Sequence, residues 1–198
     1  VEDLIPVQSI GFIVARSNIG KTFAYVDLAC RAIFEKVWLG KKTKRIKVLI
    51  VLGEGKAGFY QRLAAWMRFH GEDIEQLRAS MFWIDGANLF NDSSIEKISQ
   101  VANREEVDLI IMDTWAATSG IVDENAGALN SMALNRAVQI RPDAALLFIH
   151  HPTKTTQDKP NPEMRGSGAL KGRADYVLAM YDDKDFNAAS GERREWIA

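Results

Sequence analysis

The sequence predicts an α/β domain with a mostly parallel central sheet, and three observations indicate this class. Apolar, strand-like runs alternate along the chain with segments whose apolar residues recur at helical spacing. Several of these runs are apolar throughout, as expected for strands that are buried on both faces. The chain has 198 residues, of which 47% are hydrophobic and 26% are charged. This composition is ordinary for a globular protein, and the length suffices for one domain with a substantial core.

The N-terminal half contains three of the expected strands and two expected helices. The run "SIGFIVA" (9–15) predicts the first strand, and a helical pattern over 21–38 follows it. The β-branched run "KVLIVLG" (47–53) is typical of a strand buried on both faces. "MFWID" (81–85) predicts a short third strand. The segment between the last two strands is expected to be an amphipathic helix, because its apolar residues have helical spacing. These residues are Phe59, Leu63, Trp66 and Met67, and His70 continues the same spacing.

The C-terminal half continues the alternation. Asp92-Ser93-Ser94 offers an N-cap for a helix that continues to about residue 104, and a further helix is expected from about 125 to 140. The segment 152–168 is rich in Pro, Gly, Thr and Lys. Loops of this length in compact domains tend to be functional or mobile. The remaining strands are expected at 107–113, 144–150, 174–182 and 194–198.

Charge and cysteine content limit the classes of function. The net charge is −1, so contacts with nucleic acid would have to come from local basic patches. The single cysteine, Cys30, excludes an intramolecular disulfide and is typical of a reducing compartment. No apolar run approaches the roughly 20 residues of a membrane helix, so we expect a cytoplasmic protein without membrane contacts. Because the first residue is not Met and the last residues are strand-like, we expect one domain over 1–198, taken from a longer chain.

The segment "ARSNIGKT" between the first strand and the first helix resembles the phosphate-binding pattern G-x-x-x-x-G-K-[ST], except that alanine occupies the first glycine position. In such a loop the backbone amides and the helix N-terminus surround phosphates. Lysine would then reach the β- and γ-phosphates, and threonine would ligate Mg²⁺. The alternative is an ordinary strand–turn–helix corner with a chance GKT. The predicted nucleotide-binding residues are Ala15, Arg16, Ser17, Asn18, Ile19, Gly20, Lys21 and Thr22.

Two carboxylates follow buried strands and can complete such a site. Asp113 ends "VDLIIMD", the Walker B pattern, and can hold Mg²⁺ and orient the Thr22 hydroxyl. In isolation, it could equally cap the next turn. Glu54 follows another buried strand and would lie on the ligand side of the sheet, where it can polarise a water that attacks the γ-phosphate. Its alternative is a solvated loop carboxylate.

Histidine and arginine residues at the ends of later elements are further candidates. His150 and His151 end a buried strand, and a neutral imidazole can donate to a phosphate oxygen. Metal binding is rejected, because adjacent strand residues point to opposite faces. The plainer alternative is one packed and one exposed histidine. Arg165, in the glycine-rich segment before Lys171 and Arg173, can reach the γ-phosphate of a neighbouring subunit or can simply be solvated.

The motifs together resemble a known family. "ARSNIGKT", "LGEGKAGFYQRLAAW", "DLIIMDTWAATSGIVDEN", "LLFIHHPTK" and "RGSGALKGRADYVL" occur in the order seen in RecA-like P-loop ATPases of the RepA type, which are hexameric replicative helicases and their phage and plasmid relatives. The resemblance extends from about residue 5 to 182, with Ala15 as the departure from the pattern. It implies a RecA-like P-loop NTPase fold, with helices on both faces of the sheet, and a hexameric assembly with ATP at the subunit interfaces.

The resemblance also implies residue roles. Lys21 and Thr22 would bind phosphate and Mg²⁺, and Asp113 would be the Walker B aspartate. Glu54 matches the catalytic glutamate, and His151 matches the γ-phosphate sensor. The remaining matches are Arg165, as an arginine finger, and Asp123-Glu124-Asn125, which match a family feature without an assigned role.

Single-stranded DNA is the expected polymer partner. In the RecA-like architecture the loops at about 114–127 and 152–168 face a central channel. Lys154 and Lys159, in the second loop, can contact phosphates of a single strand. The basic run 41–47 precedes a strand, so it is expected at the sheet edge opposite the nucleotide.

Three functions are compatible with these motifs. The first is an ATP-driven motor or helicase that acts on single-stranded DNA. The second is a RecA-like ATPase that remodels DNA, or serves recombination or plasmid and phage maintenance, without unwinding. The third is a nucleotide-binding switch without useful turnover, which would require Glu54 to be misplaced.

Overall fold

The computed structural model describes residues 1–156, 162–166 and 168–181. The described strands form one six-stranded sheet in the order β3-β2-β4-β5-β1-β6, and every neighbouring pair is parallel. This confirms the expected α/β class, and the sheet is parallel throughout. The strands are β1 Ile10–Ala15, β2 Val48–Leu52, β3 Met81–Asp85, β4 Leu109–Asp113, β5 Ala145–His150 and β6 Tyr176–Met180.

The helices cover both faces of the sheet, as the resemblance implied. They are α1 Lys21–Ile33, α2 Lys56–His70, α3 Ile74–Ser80, α4 Asp92–Arg104, α5 Trp115–Ser119, α6 Gly127–Ile140 and α7 Gly168–Lys171. Residues of one strand alternate between the two faces. Ile50 packs into the core beneath α1, α2 and α3, whereas Leu49 and Val51 pack into the core beneath α4, α5 and α6. The continuous apolar runs therefore come from strands that are buried on both sides.

Two predicted helix boundaries are wrong. The helix expected over 21–38 ends at Ile33, because Glu35 adopts a left-handed conformation with φ 53°. The amide of Lys36 then donates to the carbonyl of Arg31 at 2.7 Å, which closes a Schellman motif. The N-cap of α4 is Asn91, whose side chain accepts from the amide of Ser94, and not the segment Asp92-Ser93-Ser94.

Other expectations concern segments outside the predicted elements. The short helices α3, α5 and α7 were not expected, because each is too brief to show a helical period. The basic run 41–47 lies before β2 and thus at the amino edge of the parallel sheet, as expected. The expected strand 194–198 falls outside the described residues. In the described part of the chain, no helix is both long enough and apolar enough to cross a membrane.

Candidate active site

The strand order brings the predicted site residues together. The strands β2, β4, β5 and β1 are consecutive neighbours in the sheet, and all are parallel. Their carboxyl ends therefore share one edge, which carries Glu54, Asp113, His151 and the loop 15–22 in that order. Ligands of open α/β sheets bind outside this edge.

The loop 15–22 has the backbone that a phosphate-binding turn needs. Ala15 is the buried last residue of β1 and is in register with Met180 of β6, so its backbone is extended. An alanine is therefore tolerated where the pattern has glycine. The left-handed conformations fall instead on Asn18, with φ 64°, and on Gly20, with φ 107°. Asparagine and glycine are the residues that adopt this conformation most readily.

The Lys21 side chain lies inside this loop and is largely buried. Its ammonium group donates to the carbonyls of Ala15 at 2.9 Å and Arg16 at 2.8 Å, and it lies 3.4 Å from His151 Nδ1. Burial lowers the pKa of Lys21, and the carboxylates of Asp113 and Glu54 oppose that shift. A positive charge is thus held at the cavity, where an anion can bind beside it.

Asp113 is buried at the end of β4 and is held by a tyrosine that the sequence analysis missed. The Tyr25 hydroxyl donates to Asp113 Oδ2 at 2.9 Å. The same hydroxyl interacts with Thr22, which lies one turn earlier on α1. Tyr25 therefore lies close to both Thr22 and Asp113, the two residues that were expected to act together at Mg²⁺. The available signal was a polar group on the apolar face of the first predicted helix, three residues after Thr22.

The electrostatic environment of Asp113 is dominated by burial. Burial raises the pKa of the Asp113 carboxyl to about 6, and the hydrogen bond from Tyr25 acts in the opposite direction. The nearby Glu54 carboxylate raises the pKa further, whereas Lys21 lowers it. A cation in the cavity would favour the charged carboxylate in the same way as Lys21 does.

Glu54 is exposed at the mouth of the site. It lies two residues after the end of β2, and its Oε1 accepts a hydrogen bond from Thr114 Oγ1 at 3.2 Å. Thr114 comes immediately after Asp113 in the chain. Its hydrogen bond to Glu54 therefore holds the Glu54 carboxylate near the end of β4, where Asp113 lies. This position allows Glu54 to contact water beside a phosphate group, as a general base must.

These groups surround one cavity of about 580 Å³, which is in the usual range for small-molecule sites. Ala15, Arg16 and Ile19 do not line it, and the first two contribute their carbonyls to Lys21. The side chains of Phe23 and Arg62, which the sequence analysis did not select, do line it. The full lining is Ser17, Asn18, Gly20, Lys21, Thr22, Phe23, Glu54, Gly55, Arg62, Asp113, Thr114 and His151.

The donor set fits Mg²⁺ bound together with phosphates. Within the described ranges, no group of three or more His, Cys, Asp or Glu side chains could hold a metal ion by itself. Thr22 and Asp113 nevertheless bring a hydroxyl and a carboxylate to the same cavity. Mg²⁺ prefers oxygen ligands and usually takes only one or two protein groups beside substrate phosphates and water.

The two histidines have different environments, as alternation on a strand requires. His150 is fully buried, and its Nε2 donates to the carbonyl of Arg165 at 2.7 Å. Burial lowers its pKa to about 4, so the imidazole is neutral. His151 is half-buried and lines the cavity beside Lys21. Burial also lowers the pKa of His151, and the charge of Lys21 adds to this effect.

Arg165 does not reach the cavity of its own subunit. Its guanidinium Nε lies 3.2 Å from Glu124 Oε2, and its side chain is 57% exposed. Its backbone amide donates to the carbonyl of His151 at 3.0 Å. The segment Asp123-Glu124-Asn125 thus contains the ion-pair partner of Arg165, and Asp123 Oδ1 accepts from the Asn125 amide.

The loop 152–168 is anchored at its base. Pro152 bridges to Met164, and the Thr153 amide donates to the carbonyl of Glu163 at 2.8 Å. Lys154 is exposed in the turn that follows. Lys159 lies outside the described residues, so its expected contact with DNA is not described structurally.

The parallel sheet, the loop that encloses an ammonium group and the buried strand-end carboxylate together define a P-loop NTPase. Residues 1–157 match the family model described as the AAA domain, so the chain belongs to this family. Membership makes it an ATPase domain that binds nucleotide, usually together with Mg²⁺. No curated protein matches the chain significantly.

Proposed function

We propose that this chain is the RecA-like motor domain of a RepA-type assembly, which hydrolyses ATP to act on single-stranded DNA. The observation that carries the proposal is that four of the predicted site residues line the cavity, whereas the predicted arginine finger does not. Lys21, Glu54, Asp113 and His151 line one cavity, whereas Arg165 is exposed and lies outside it. A site that is completed by an arginine from the next subunit accounts for this division, and a ring of about six subunits would place ATP at each interface.

Each residue has a role in this proposal. The amides of the loop 15–22 and the Lys21 ammonium bind the phosphates, and His151 contacts the terminal phosphate group. Glu54 accepts a proton from the attacking water. Thr22 and Asp113 would hold Mg²⁺, which neutralises phosphate charge when it is bound. Arg165 of one subunit stabilises the charge of the transition state in its neighbour, a contribution of roughly a thousandfold or more in other NTPases.

The test is ATP turnover with and without single-stranded DNA, for the wild type and for Lys21→Ala. We expect DNA to stimulate the wild type, and we expect the variant to be inactive because its phosphate loop lacks the ammonium group. Equal, slow turnover of both proteins would contradict the motor. Light scattering with a non-hydrolysable ATP analogue would report ring assembly, and a monomer under all conditions would leave Arg165 without a neighbour.

A second function, DNA remodelling without unwinding, is favoured by the scarcity of basic residues in the loops beyond the sheet edge. The segment 114–127 contains no Lys or Arg. In the described part of 152–168, Lys154 is the exposed lysine near the turn. A strand-displacement assay on a forked duplex separates the two functions, because a remodelling ATPase would be stimulated by DNA and would leave the duplex paired.

The third possibility, a nucleotide switch without turnover, would require Glu54 to lie away from the phosphates. Its position on the cavity wall beside Asp113 supports hydrolysis instead. Glu54→Gln should abolish turnover while the protein still binds ATP. An unchanged hydrolysis rate would favour the switch.

A further inference from the structure

A second cation, to which the sequence analysis assigned no role, lines the cavity. Arg62 lies on α2, six residues after the helix begins at Lys56, and it is one of the residues that line the cavity. The guanidinium carbon lies 4.9 Å from the ring centroid of Phe23, the residue directly after Thr22. The helix carries Gly58 one turn earlier, and a side chain there would collide with the guanidinium. The Phe23 ring thus packs against the guanidinium, and the absence of a side chain at Gly58 leaves room for it.

The charge of Arg62 lacks a full set of partners. Its Nε is buried and has no hydrogen-bond partner, and no ion pair involves Arg62 within the described ranges 1–156, 162–166 and 168–181. Asp113 is near enough for electrostatic attraction, but its Oδ2 is occupied by the Tyr25 hydroxyl. The charge of this partly buried guanidinium is thus only partly compensated by the described residues, and an anionic ligand in the cavity would compensate it further.

The position of Arg62 determines which part of a nucleotide it would meet. The phosphate loop follows β1, whereas α2 follows β2, and β4 and β5 lie between these two strands. A phosphate held by the loop therefore has Glu54, Asp113 and Arg62 on the side toward β2. The phosphate that extends farthest to this side is the terminal one, because hydrolysis requires it to lie beside Glu54.

We propose that Arg62 binds the terminal phosphate of ATP within its own subunit and makes this pocket prefer ATP to ADP. The inference rests on the proposed nucleotide site and adds a specificity-determining residue to it. The planar guanidinium presents paired N–H donors that match two phosphate oxygens, and an aromatic ring below it limits its motion. Phe23 acts as a positioning residue, since it holds Arg62 and need not touch the nucleotide.

The experiment measures the binding of Mg²⁺-ADP and of a non-hydrolysable Mg²⁺-ATP analogue to the complete 198-residue chain by calorimetry. For Arg62→Gln we expect the affinity for the ATP analogue to fall roughly ten- to a hundredfold, the range for hydrogen bonds to charged groups. The affinity for ADP should stay within about threefold, because ADP lacks the phosphate that Arg62 would contact. Arg68→Gln, an exposed arginine on the same helix, is the matched control and should change neither affinity.

A second variant keeps the test decisive if Arg62→Gln does not fold. Phe23 is 57% exposed, so Phe23→Leu should fold, and it leaves the arginine in place without its aromatic support. We expect a selective loss of affinity for the ATP analogue, of roughly three- to tenfold. Equal losses for both nucleotides, or no loss, in whichever variant folds would overturn the proposal.

Failure of this inference is distinct from failure of the proposed function. Lys21→Ala should lose affinity for ADP and for the ATP analogue alike, since the loop holds the phosphates that both contain. A wild type that binds neither nucleotide would contradict the site itself. A wild type that binds both, with Arg62→Gln unchanged, would contradict Arg62 alone.

Discussion

At the scale of single residues, the buried Tyr25 hydroxyl joins two groups that a sequence motif treats as separate. It donates to Asp113 and lies close to Thr22, so this hydroxyl ties the helix α1 to the end of the strand β4. Burial raises the pKa of Tyr25 far above its ordinary value, which keeps the phenol protonated as a donor. Asp113 keeps its second oxygen for a cation or its water.

Tyr25→Phe removes this donor and leaves a buried carboxylate oxygen without a partner. We expect a loss of about 1–3 kcal/mol in the free energy of unfolding. The Mg²⁺ concentration needed for half-maximal ATP turnover should also rise, because Asp113 is no longer held in one orientation. Urea unfolding and a Mg²⁺ titration measure the two effects. Tyr60→Phe, a half-buried tyrosine outside the cavity, is the control and should leave the Mg²⁺ titration unchanged.

His150 predicts a pH dependence of stability. Its pKa is about 4 in the folded chain and 6.5 in the reference state, because burial disfavours the imidazolium. The charges of His151, Arg165 and Lys21 act in the same direction. As the pH falls from 6.5 to 4, the unfolded chain binds a proton that the folded chain does not. The free energy of unfolding should therefore fall in this range, by up to about 3 kcal/mol at the acid end, and His150 should add no dependence above it.

The measurement is urea unfolding between pH 4.5 and 7.5 for the wild type and His150→Gln. The glutamine amide can still donate to the carbonyl of Arg165 but does not titrate. We expect the slope of the unfolding free energy against pH to be smaller in the variant between pH 4.5 and 6.5, by the equivalent of up to one bound proton. An identical slope in both proteins would show that His150 does not titrate as proposed. The same measurement on His151→Gln gives the contribution of His151 to the pH dependence, which can then be separated from that of His150.

At the scale of elements, the end of α1 shows local strain that the helical pattern did not reveal. Glu35 takes the left-handed conformation that usually falls to glycine after a helix. Its side chain forms an exposed ion pair with Arg45, which contributes little. The motif is therefore set by the backbone hydrogen bonds of Glu35 and Lys36, despite an unfavourable residue.

Glu35→Gly should stabilise the chain by up to about 1 kcal/mol, because glycine adopts positive φ without strain. The gain is limited by the greater freedom of glycine in the unfolded chain. Thermal or urea unfolding measures it. Glu35→Ala loses the same ion pair and keeps the strain, so it should show no gain. Equal behaviour of the two variants would mean that the conformation of residue 35 is not strained.

At the scale of the whole molecule, the pocket and Arg165 are separate surfaces of one chain. The cavity holds the groups that bind and activate, whereas Arg165 is paired with Glu124 away from it. Under the proposed function, a complete site needs two subunits, and each interface joins one pocket to one arginine. Such a head-to-tail interface closes into a ring when the rotation permits.

A subunit-mixing experiment tests this arrangement. Arg165→Ala and Lys21→Ala should each be inactive when assembled alone. Mixed in equal amounts, they should recover roughly a quarter of wild-type turnover, because one interface in four then joins an intact pocket to an intact arginine. Lys171→Ala, an exposed basic residue on α7, should stay active alone and serves as the control. Absence of recovery in assemblies that contain both variants would place Arg165 outside the neighbouring site.

The sequence by itself determined the order of strands and helices and the location of the phosphate loop. These features depend on short-range patterns: apolar runs, helical spacing, and a turn whose glycine and lysine are adjacent. The parallel sheet followed from the same alternation. The C-terminal end of α1 and the N-cap of α4 were predicted wrongly. A left-handed residue and a side-chain cap fix these boundaries, and both depend on a few local hydrogen bonds.

Only the tertiary structure decided which side chains beyond the predicted ones share the site. Tyr25 and Asp113 are 88 residues apart in the sequence, and they meet because β4 and β1 deliver their carboxyl ends to one edge. Arg62 lines the cavity, and Arg165 pairs with Glu124, because the segments that carry them also follow strands that end at this edge. The physical cause is the strand order, since β1 lies between β5 and β6, and β2 lies beside β4, although these strands are not consecutive in the chain. No local pattern encodes that order, which emerges when both faces of the sheet are buried together.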